Sequence, residues 1–275
     1  MSESSQRLMS TPRDGLYHAT RNFMARNYRD DVLWLNNNVS NKNKLTADLR
    51  DDIPPIPFTG DPWAKIIGDS TLFIGINPRF QDSTIPPNHK EFGPSISSIN
   101  RFHAGEESGF EEYVSQRRGY FTNEMKYGKY YTFPGKMFSK HWYDVENPWI
   151  NHVQSMEAVP WFSKTDEMDL DSLLDAYYSE EMFLSYRSVF EELVELIQPK
   201  FIQLNGKKPR IIFEEIYGID EFQPMKTIAK GCHSGGLNIR GKIIPTVAHN
   251  FSGTRWGLNG EKEWDTMYDE WTGSS

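Results

Sequence analysis

An apolar run opens the segment Thr71-Leu72-Phe73-Ile74-Gly75-Ile76-Asn77-Pro78 and leads directly into a glycine, an asparagine and a proline. Short apolar runs that end in turn residues are typical of buried parallel strands. The same pattern predicts three further strands: Val153–Trp161, Phe201–Leu204 and Ile243–Ala248. The four runs together predict a central four-stranded parallel sheet in an α/β fold.

Helical spacing of apolar residues appears between and around these runs. It predicts helices over three segments: Met182–Ile197, Pro209–Tyr217 and Trp264–Trp271. Pro209 suits the first turn of its helix, and Gly218 suits the position just after the helix ends. Upstream, a further helix and an Asn-rich loop are expected, over Tyr17–Leu35 and Asn36–Lys44.

The length of 275 residues is that of one elaborated α/β domain. Residues 1–60 are expected to form a partly helical N-terminal extension, and residues 61–275 the single domain. The stretch Asp82–Arg118 shows little periodicity. A long insertion is therefore predicted at about 82–118.

Composition excludes several classes of protein. The single cysteine, Cys232, excludes an internal disulfide and an iron–sulfur cluster held by four thiolates of this chain. Zinc deaminases need a Cys-x-x-Cys pair, and the histidines show no ligand spacing, so no metal is expected. No apolar run approaches the ~20 residues that cross a bilayer, and Met1–Arg13 lacks a signal-peptide core. We expect a cytoplasmic monomer that needs no membrane and no cofactor.

The net charge of −8 opposes the cationic field typical of nucleic-acid binders. The charge is uneven, however, because Asp166–Glu195 holds ten acids and one base. Between Tyr113 and Trp142, basic residues alternate with aromatic ones, which suits a nucleic-acid groove as well as it suits a solvated basic loop. The basic residues are Arg117, Arg118, Lys126, Lys129, Lys136 and Lys140.

Polar residues follow each predicted strand, where open parallel sheets bind their ligands. Asn77 can donate and accept hydrogen bonds, and Glu157 places a carboxylate in a run that should be buried. The segment Leu204–Lys208 is not a Walker motif, because Phe201 and Lys208 occupy positions that need a glycine and a Ser or Thr. The segment Ala248–Gly253 adds further small and polar groups.

Taken in this order, the segments resemble the uracil-DNA glycosylase superfamily, especially its mismatch-type and single-strand-selective branches. Gly75-Ile76-Asn77-Pro78 is similar to the first catalytic motif, with Arg79 in place of a glycine. Asn250-Phe251-Ser252-Gly253 is similar to the second, with Phe251 in place of a proline. Leu204–Lys207 and Tyr131–Pro134 are similar to two further segments, the latter lying before a helix. The resemblance covers roughly Leu72 to Trp271 and implies a three-layer α/β/α, uracil-DNA glycosylase-like fold.

The resemblance also implies roles for individual residues. Asn77 would position the attacking water, and His249 or Asn250 would face the base. Tyr131 would stack on the extruded base, and Arg255, with Trp256, would fill the gap left in the DNA. The expected substrate-binding residues are Gly75, Ile76, Pro78, Tyr131, Glu157, Ser252 and Arg255.

Glu157 departs from the family pattern, because uracil-excising branches carry an asparagine at that position. An ionised carboxylate only accepts hydrogen bonds, so it would repel the O4 carbonyl of uracil and favour an exocyclic amino group. The sequence thus predicts a monofunctional DNA glycosylase for a modified or cytosine-like pyrimidine, in repair or in defence against foreign modified DNA. A structural ion pair is the alternative role for Glu157.

Two other functions stay open at the level of sequence. Arg79, Glu157 and Phe251 depart from the family pattern, as they would in a silent module that binds nucleic acid or protein. Lys207 and Lys208 leave open attack through a Schiff base. A nucleotide-binding transferase is excluded by the lack of a Gly-x-Gly-x-x-Gly fingerprint or Walker motif.

Overall fold

The structure is a computed structural model and describes residues 11–39, 48–80, 89–90, 92–122, 128–164, 168–228, 231–252 and 257–273. Its centre is a single sheet with the strand order β2-β1-β3-β6-β5-β4. The strands are β1 Thr71–Gly75, β2 Val153–Glu157, β3 Phe201–Asn205, β4 Gln223–Pro224, β5 His233–Ile239 and β6 Lys242–His249. The α/β class is confirmed, and each of the four predicted strands corresponds to an observed strand, although the second ends at Glu157 and not at Trp161.

The prediction of a four-stranded, all-parallel sheet was wrong, because the sheet is mixed and has six strands in the described ranges. Only β2, β1, β3 and β6 run parallel, while β5 pairs antiparallel with β6 and β4 antiparallel with β5. Arg240 and Gly241 form the two-residue turn between β5 and β6 with φ of 51° and 85°, as tight hairpins require. The sheet thus differs from the uracil-DNA glycosylase-like sheet that the resemblance implies.

Ten α-helices surround the sheet in the described part of the chain. They are α1 Pro12–Met24, α2 Tyr28–Asn38, α3 Phe92–His103, α4 Glu107–Arg118, α5 Gly128–Phe138, α6 Pro148–Asn151, α7 Leu170–Ser179, α8 Glu181–Ile197, α9 Lys207–Tyr217 and α10 Glu261–Thr272. The predictions for α8, α9 and α10 are confirmed. The upstream helix is present but broken, because Asn27 accepts a hydrogen bond from the Arg29 amide and starts α2 as a new helix.

Two further segments contain helices. The stretch 82–118 contains α3 and α4, which pack together so closely at Gly109 that a side chain there would clash with the backbone of Ser98. Phe102 and Phe110 also meet across this contact at 5.3 Å, but buried small or polar residues such as Ser98 and Gly109 interrupt the apolar pattern in the sequence. The segment Tyr131–Pro134 does not precede a helix but lies inside α5, which contains Pro134.

Side chains of the parallel strands alternate between two hydrophobic clusters on opposite faces of the sheet. Leu72 and Ile74 pack into the cluster that contains residues of α1, α2 and α8. Phe73 packs into the other cluster, with residues of α5 and α10. Helices therefore cover both faces, and α1 and α2, from the N-terminal 60 residues, share a cluster with the sheet. No helix in the described ranges is long and apolar enough to span a membrane.

Candidate functional site

A cavity of about 90 Å³ opens at the carboxyl ends of the parallel strands, several times the space that one water needs. Five aromatic side chains line it: Tyr120, Tyr130, Tyr131, Phe162 and Phe251. The remaining lining residues are Ile56, Thr59, Ile76, Asn77, Pro78, Arg79 and Glu157. A mainly apolar wall with a few polar groups is typical of a small-ligand site.

One row of residues crosses the sheet beside this cavity. Gly75 is opposite Glu157, and Asn205 is opposite His249. Because Ile74 is opposite Leu204, Gly75 and Asn205 are also neighbours. The four side-chain positions face the same side of the sheet, so the strands bring a carboxyl, an amide and an imidazole to one edge.

Gly75 makes room for the polar groups above it. A Cβ atom at this position would clash with Glu157 Oε2 and with the Tyr130 hydroxyl. Two side chains of the protein thus occupy the space next to Gly75. Any other residue here would displace Glu157 or Tyr130.

Glu157 is a buried carboxyl with an incomplete set of hydrogen bonds. Tyr130 Oη donates to its Oε1 at 3.3 Å, whereas Oε2 has no partner in the described ranges. Burial raises the pKa of Glu157 to about 8, and the hydrogen bond from Tyr130 opposes this shift. The group is therefore mostly neutral at pH 7 and can donate as well as accept. No ion pair to Glu157 occurs within the part of the chain that the structure describes.

Tyr130 lies closer to the polar groups of the cavity than Tyr131 does. Its ring faces that of Phe251 at 6.0 Å with an interplanar angle of 24°. Tyr131 lines the cavity but is largely embedded, because its hydroxyl hydrogen-bonds Ser155 at 3.4 Å and its ring meets Phe121 edge-on. Tyr130 was not predicted from the sequence, since helical spacing alone does not show which of two consecutive tyrosines faces a ligand.

Asn77 lies just beyond the carboxyl end of β1 and is held in place by hydrogen bonds to its neighbours. Its Nδ2 donates to Ser163 Oγ and, at 3.3 Å, to the Pro78 carbonyl. The turn is itself fixed, because Ala158 and Val159 donate backbone hydrogen bonds to the carbonyls of Gly75 and Ile76 at 2.8 and 2.7 Å. Asn77 Oδ1 makes no hydrogen bond to a described residue, so its acceptor is available to a water or ligand.

His249 is not brought to the cavity. Gln203 Nε2 donates to its Nε2 at 2.8 Å, and its Nδ1 donates to the Asn250 carbonyl at 2.8 Å. Tyr268 donates to Gln203 at 2.6 Å and closes this buried network. Burial lowers the pKa of His249 to about 4, so the imidazole is neutral. Both ring nitrogens are used inside the protein, which leaves neither to contact a base.

The next two residues of the second motif, Asn250 and Phe251, differ in their position relative to the cavity. The Asn250 side chain packs against Gly231 and is not part of the cavity wall, whereas Phe251 is. Ser252 donates from its backbone and hydroxyl to Asn205 Oδ1 at 3.0 and 3.3 Å. Ser252 thus anchors the loop that carries Phe251. Arg255 and Trp256, predicted to enter the DNA, lie outside the described residues.

The basic stretch between Tyr113 and Trp142 is largely neutralised where it is described. Arg118 pairs with Asp61 at 2.9 Å, Lys140 pairs with Asp265 at 2.7 Å, and Lys136 pairs with Glu261. Arg117 is buried beside the Tyr113 ring. The side chains of Lys126 and Lys129 lie outside the described residues. In the described part of this stretch, the paired and buried side chains form neither a free basic loop nor an open cationic groove.

Comparison with known proteins gives no matching family model and no matching curated protein. Within the described ranges, no group of three or more His, Cys, Asp or Glu is arranged to hold a metal ion. In the cavity, a fixed asparagine, a neutral carboxyl and aromatic rings meet.

Proposed function

We propose that this protein is a monofunctional DNA glycosylase that hydrolyses the N-glycosidic bond of a cytosine-like or modified pyrimidine. The observation that carries the proposal is the aromatic cavity in which Asn77 and the buried carboxyl of Glu157 share one wall. Three of the segments that resemble glycosylase motifs contribute to this wall, through Asn77, Tyr131 and Phe251. We further propose that it acts as a cytoplasmic monomer on DNA, in repair or in defence against foreign modified DNA.

A flat base suits the shape and chemistry of the cavity. An extruded pyrimidine would contact aromatic rings with its faces, since such rings hold flipped bases. Its hydrogen-bonding edge would meet Glu157, which as a neutral acid offers one donor and one acceptor. The repulsion of uracil predicted from the sequence applies to the ionised form of Glu157, so the neutral form does not by itself exclude a carbonyl at that edge.

Asn77 would act on the sugar side of the bond. Its Nδ2 is committed to Ser163 and Pro78, which orients Oδ1 as an acceptor for a water molecule. A water held in this way could capture the sugar cation that forms when the base leaves. Position matters more than basicity in such a step, so a neutral amide is sufficient.

The test is cleavage of DNA duplexes and single strands that carry uracil, cytosine or a bulky modified cytosine, followed by alkali to break abasic sites. We expect breaks with a cytosine-type base, and Asn77→Ala should reduce the rate by about 10²-fold or more while DNA binding changes little. Asn100→Ala, at an exposed position of α3, is the matched control and should behave as the unmutated protein does.

The same assay contradicts the proposal if no substrate is cleaved. Binding of DNA without cleavage would then favour the silent binding module. A borohydride-trapped adduct that disappears with Lys207→Ala and Lys208→Ala would replace hydrolysis by Schiff-base chemistry. A preference for uracil over every cytosine derivative would overturn the choice of substrate but leave the activity.

A further inference from the structure

The unusual group of this site is a neutral carboxyl whose proton has no acceptor among the described residues. Tyr130 occupies Oε1 of Glu157 as a donor, so the proton of the neutral acid belongs on Oε2. Oε2 is buried above Gly75 and has no hydrogen-bond partner among the described residues. A buried donor without an acceptor costs about 1–3 kcal/mol, and a ligand that supplies the acceptor would recover this cost.

Among the described residues, the groups that face Glu157 do not compensate its charge. From α5 come Tyr130 and Tyr131, and from α8 comes Tyr186, which donates to the Glu157 carbonyl at 2.6 Å. All three tyrosines have pKa values raised above 10 by burial, so they are neutral near Glu157. On the neighbouring strands, Gly75 and Asn205 carry no charge and His249 is neutral. Arg79 is exposed at the cavity wall, where water screens it.

When the glycosidic bond breaks, an aminopyrimidine leaving group depends on protonation more strongly than uracil does. Cleavage places the electron pair of the C1′–N1 bond on the base, and an amino group delocalises that charge less well than a second carbonyl. Protonation at ring nitrogen N3 removes the charge altogether. The edge that carries N3 also carries the amino group, which is a donor.

We propose that Glu157 is the general acid of this site and protonates N3 of an aminopyrimidine as the glycosidic bond breaks. This role rests on the proposed glycosylase function. The Glu157 O–H donates to N3 while the amino group donates to the other carboxyl oxygen. The C1′–N1 electron pair moves into the ring, the proton moves to N3, and the base leaves as a neutral tautomer.

The cycle closes without any further reagent. The water positioned by Asn77 adds to C1′ and releases one proton. That proton returns through solvent to the Glu157 carboxylate and restores the neutral acid. The net reaction consumes one water and yields the free base and an abasic site.

The experiment measures single-turnover excision of a cytosine-type base from pH 6 to 10, for the unmutated protein and for Glu157→Gln. Glutamine keeps one donor and one acceptor but cannot give up a proton. We expect Glu157→Gln to lower the rate by about 10²–10⁴-fold, with DNA affinity within a few-fold. Burial holds the pKa of Glu157 at about 8, so the unmutated rate should fall about tenfold per pH unit above that value.

Two controls separate this role from others. Glu215→Gln, at an exposed position of α9, should leave the rate and its pH profile unchanged. A uracil substrate, whose leaving group needs no proton at N3, should lose much less rate in Glu157→Gln than the cytosine-type substrate.

The outcomes are distinguishable. A flat pH profile of the unmutated protein would contradict the general-acid role but not the glycosylase function. A Glu157→Gln rate within about threefold of the unmutated rate would do the same. The pH profile needs no variant, so a misfolded Glu157→Gln protein would not block the test. Absence of cleavage by the unmutated protein at every pH overturns both the glycosylase and the role of Glu157.

Discussion

Gly75 is the residue at which the sheet and the cavity approach each other most closely. Replacement by alanine adds a Cβ that would overlap Glu157 Oε2 and the Tyr130 hydroxyl. We expect Gly75→Ala to lower the free energy of unfolding by about 1–3 kcal/mol, as overpacking of a core usually does. Urea denaturation measures this difference. In a Glu157→Ala, Tyr130→Phe background both overlapping groups are gone, so a cost that stays the same would contradict the explanation.

At the residue scale, the sequence indicates which groups carry chemistry better than it indicates their contacts. Asn77, Pro78 and Glu157 could be predicted as cavity residues because they directly follow or end buried strands. The sequence does not show that burial keeps Glu157 neutral, since this depends on groups brought together by the fold. His249 also ends a buried strand, but it does not reach the cavity, because Gln203 on the adjacent strand hydrogen-bonds its Nε2.

Asn205 at the end of β3 connects the sheet to the loop that carries Phe251. Its Oδ1 accepts hydrogen bonds from the backbone and the hydroxyl of Ser252. We expect Asn205→Ala to leave the Ser252 amide without its partner and to speed its hydrogen exchange, by an amount equivalent to about 1–3 kcal/mol. Amide exchange followed by mass spectrometry or NMR measures this change.

Ser252→Ala provides the matched comparison for this loop, because it removes the 3.3 Å hydroxyl bond and keeps the 3.0 Å amide bond. Its effect on exchange should be clearly smaller than that of Asn205→Ala. Equal exchange in the two variants would mean that the amide bond does not hold the loop.

At the scale of elements, apolar periodicity predicts the helices and strands that pack through large apolar side chains. It misses elements whose packed faces contain glycine or polar residues. Helix α8 repeats apolar residues on one face and could be predicted along its whole length. Strand β5 contains Gly235 and Gly236, so it shows no apolar run although it pairs along the length of β6. Helices α3 and α4 were not predicted, because buried small or polar residues such as Ser98 and Gly109 interrupt the apolar pattern on the faces that pack together.

At the scale of the whole molecule, Glu157 and His249 give the free energy of unfolding opposite dependences on pH. Burial raises the pKa of Glu157 from 4.5 to about 8, so the folded chain holds a proton there that the unfolded chain loses. Stability from this group is complete below pH 4.5 and is lost as the pH rises to about 8. Burial lowers the pKa of His249 from 6.5 to about 4, so its contribution is complete above pH 6.5 and is lost as the pH falls to about 4.

We therefore expect the two contributions to offset each other between pH 4.5 and 6.5, and stability to fall from pH 6.5 to 8 because only Glu157 still changes. The rise in the pKa of Glu157 from 4.5 to about 8 corresponds to a loss of at most about 5 kcal/mol in the free energy of unfolding. Urea unfolding across this range, compared between the unmutated protein and Glu157→Gln, isolates the contribution of Glu157. The variant should gain stability relative to the unmutated protein as the pH rises, whereas Glu215→Gln should not. If the difference in the free energy of unfolding between the unmutated protein and Glu157→Gln stays constant from pH 5 to 9, the carboxyl is ionised throughout. The neutral acid on which the proposed role of Glu157 depends would then be excluded.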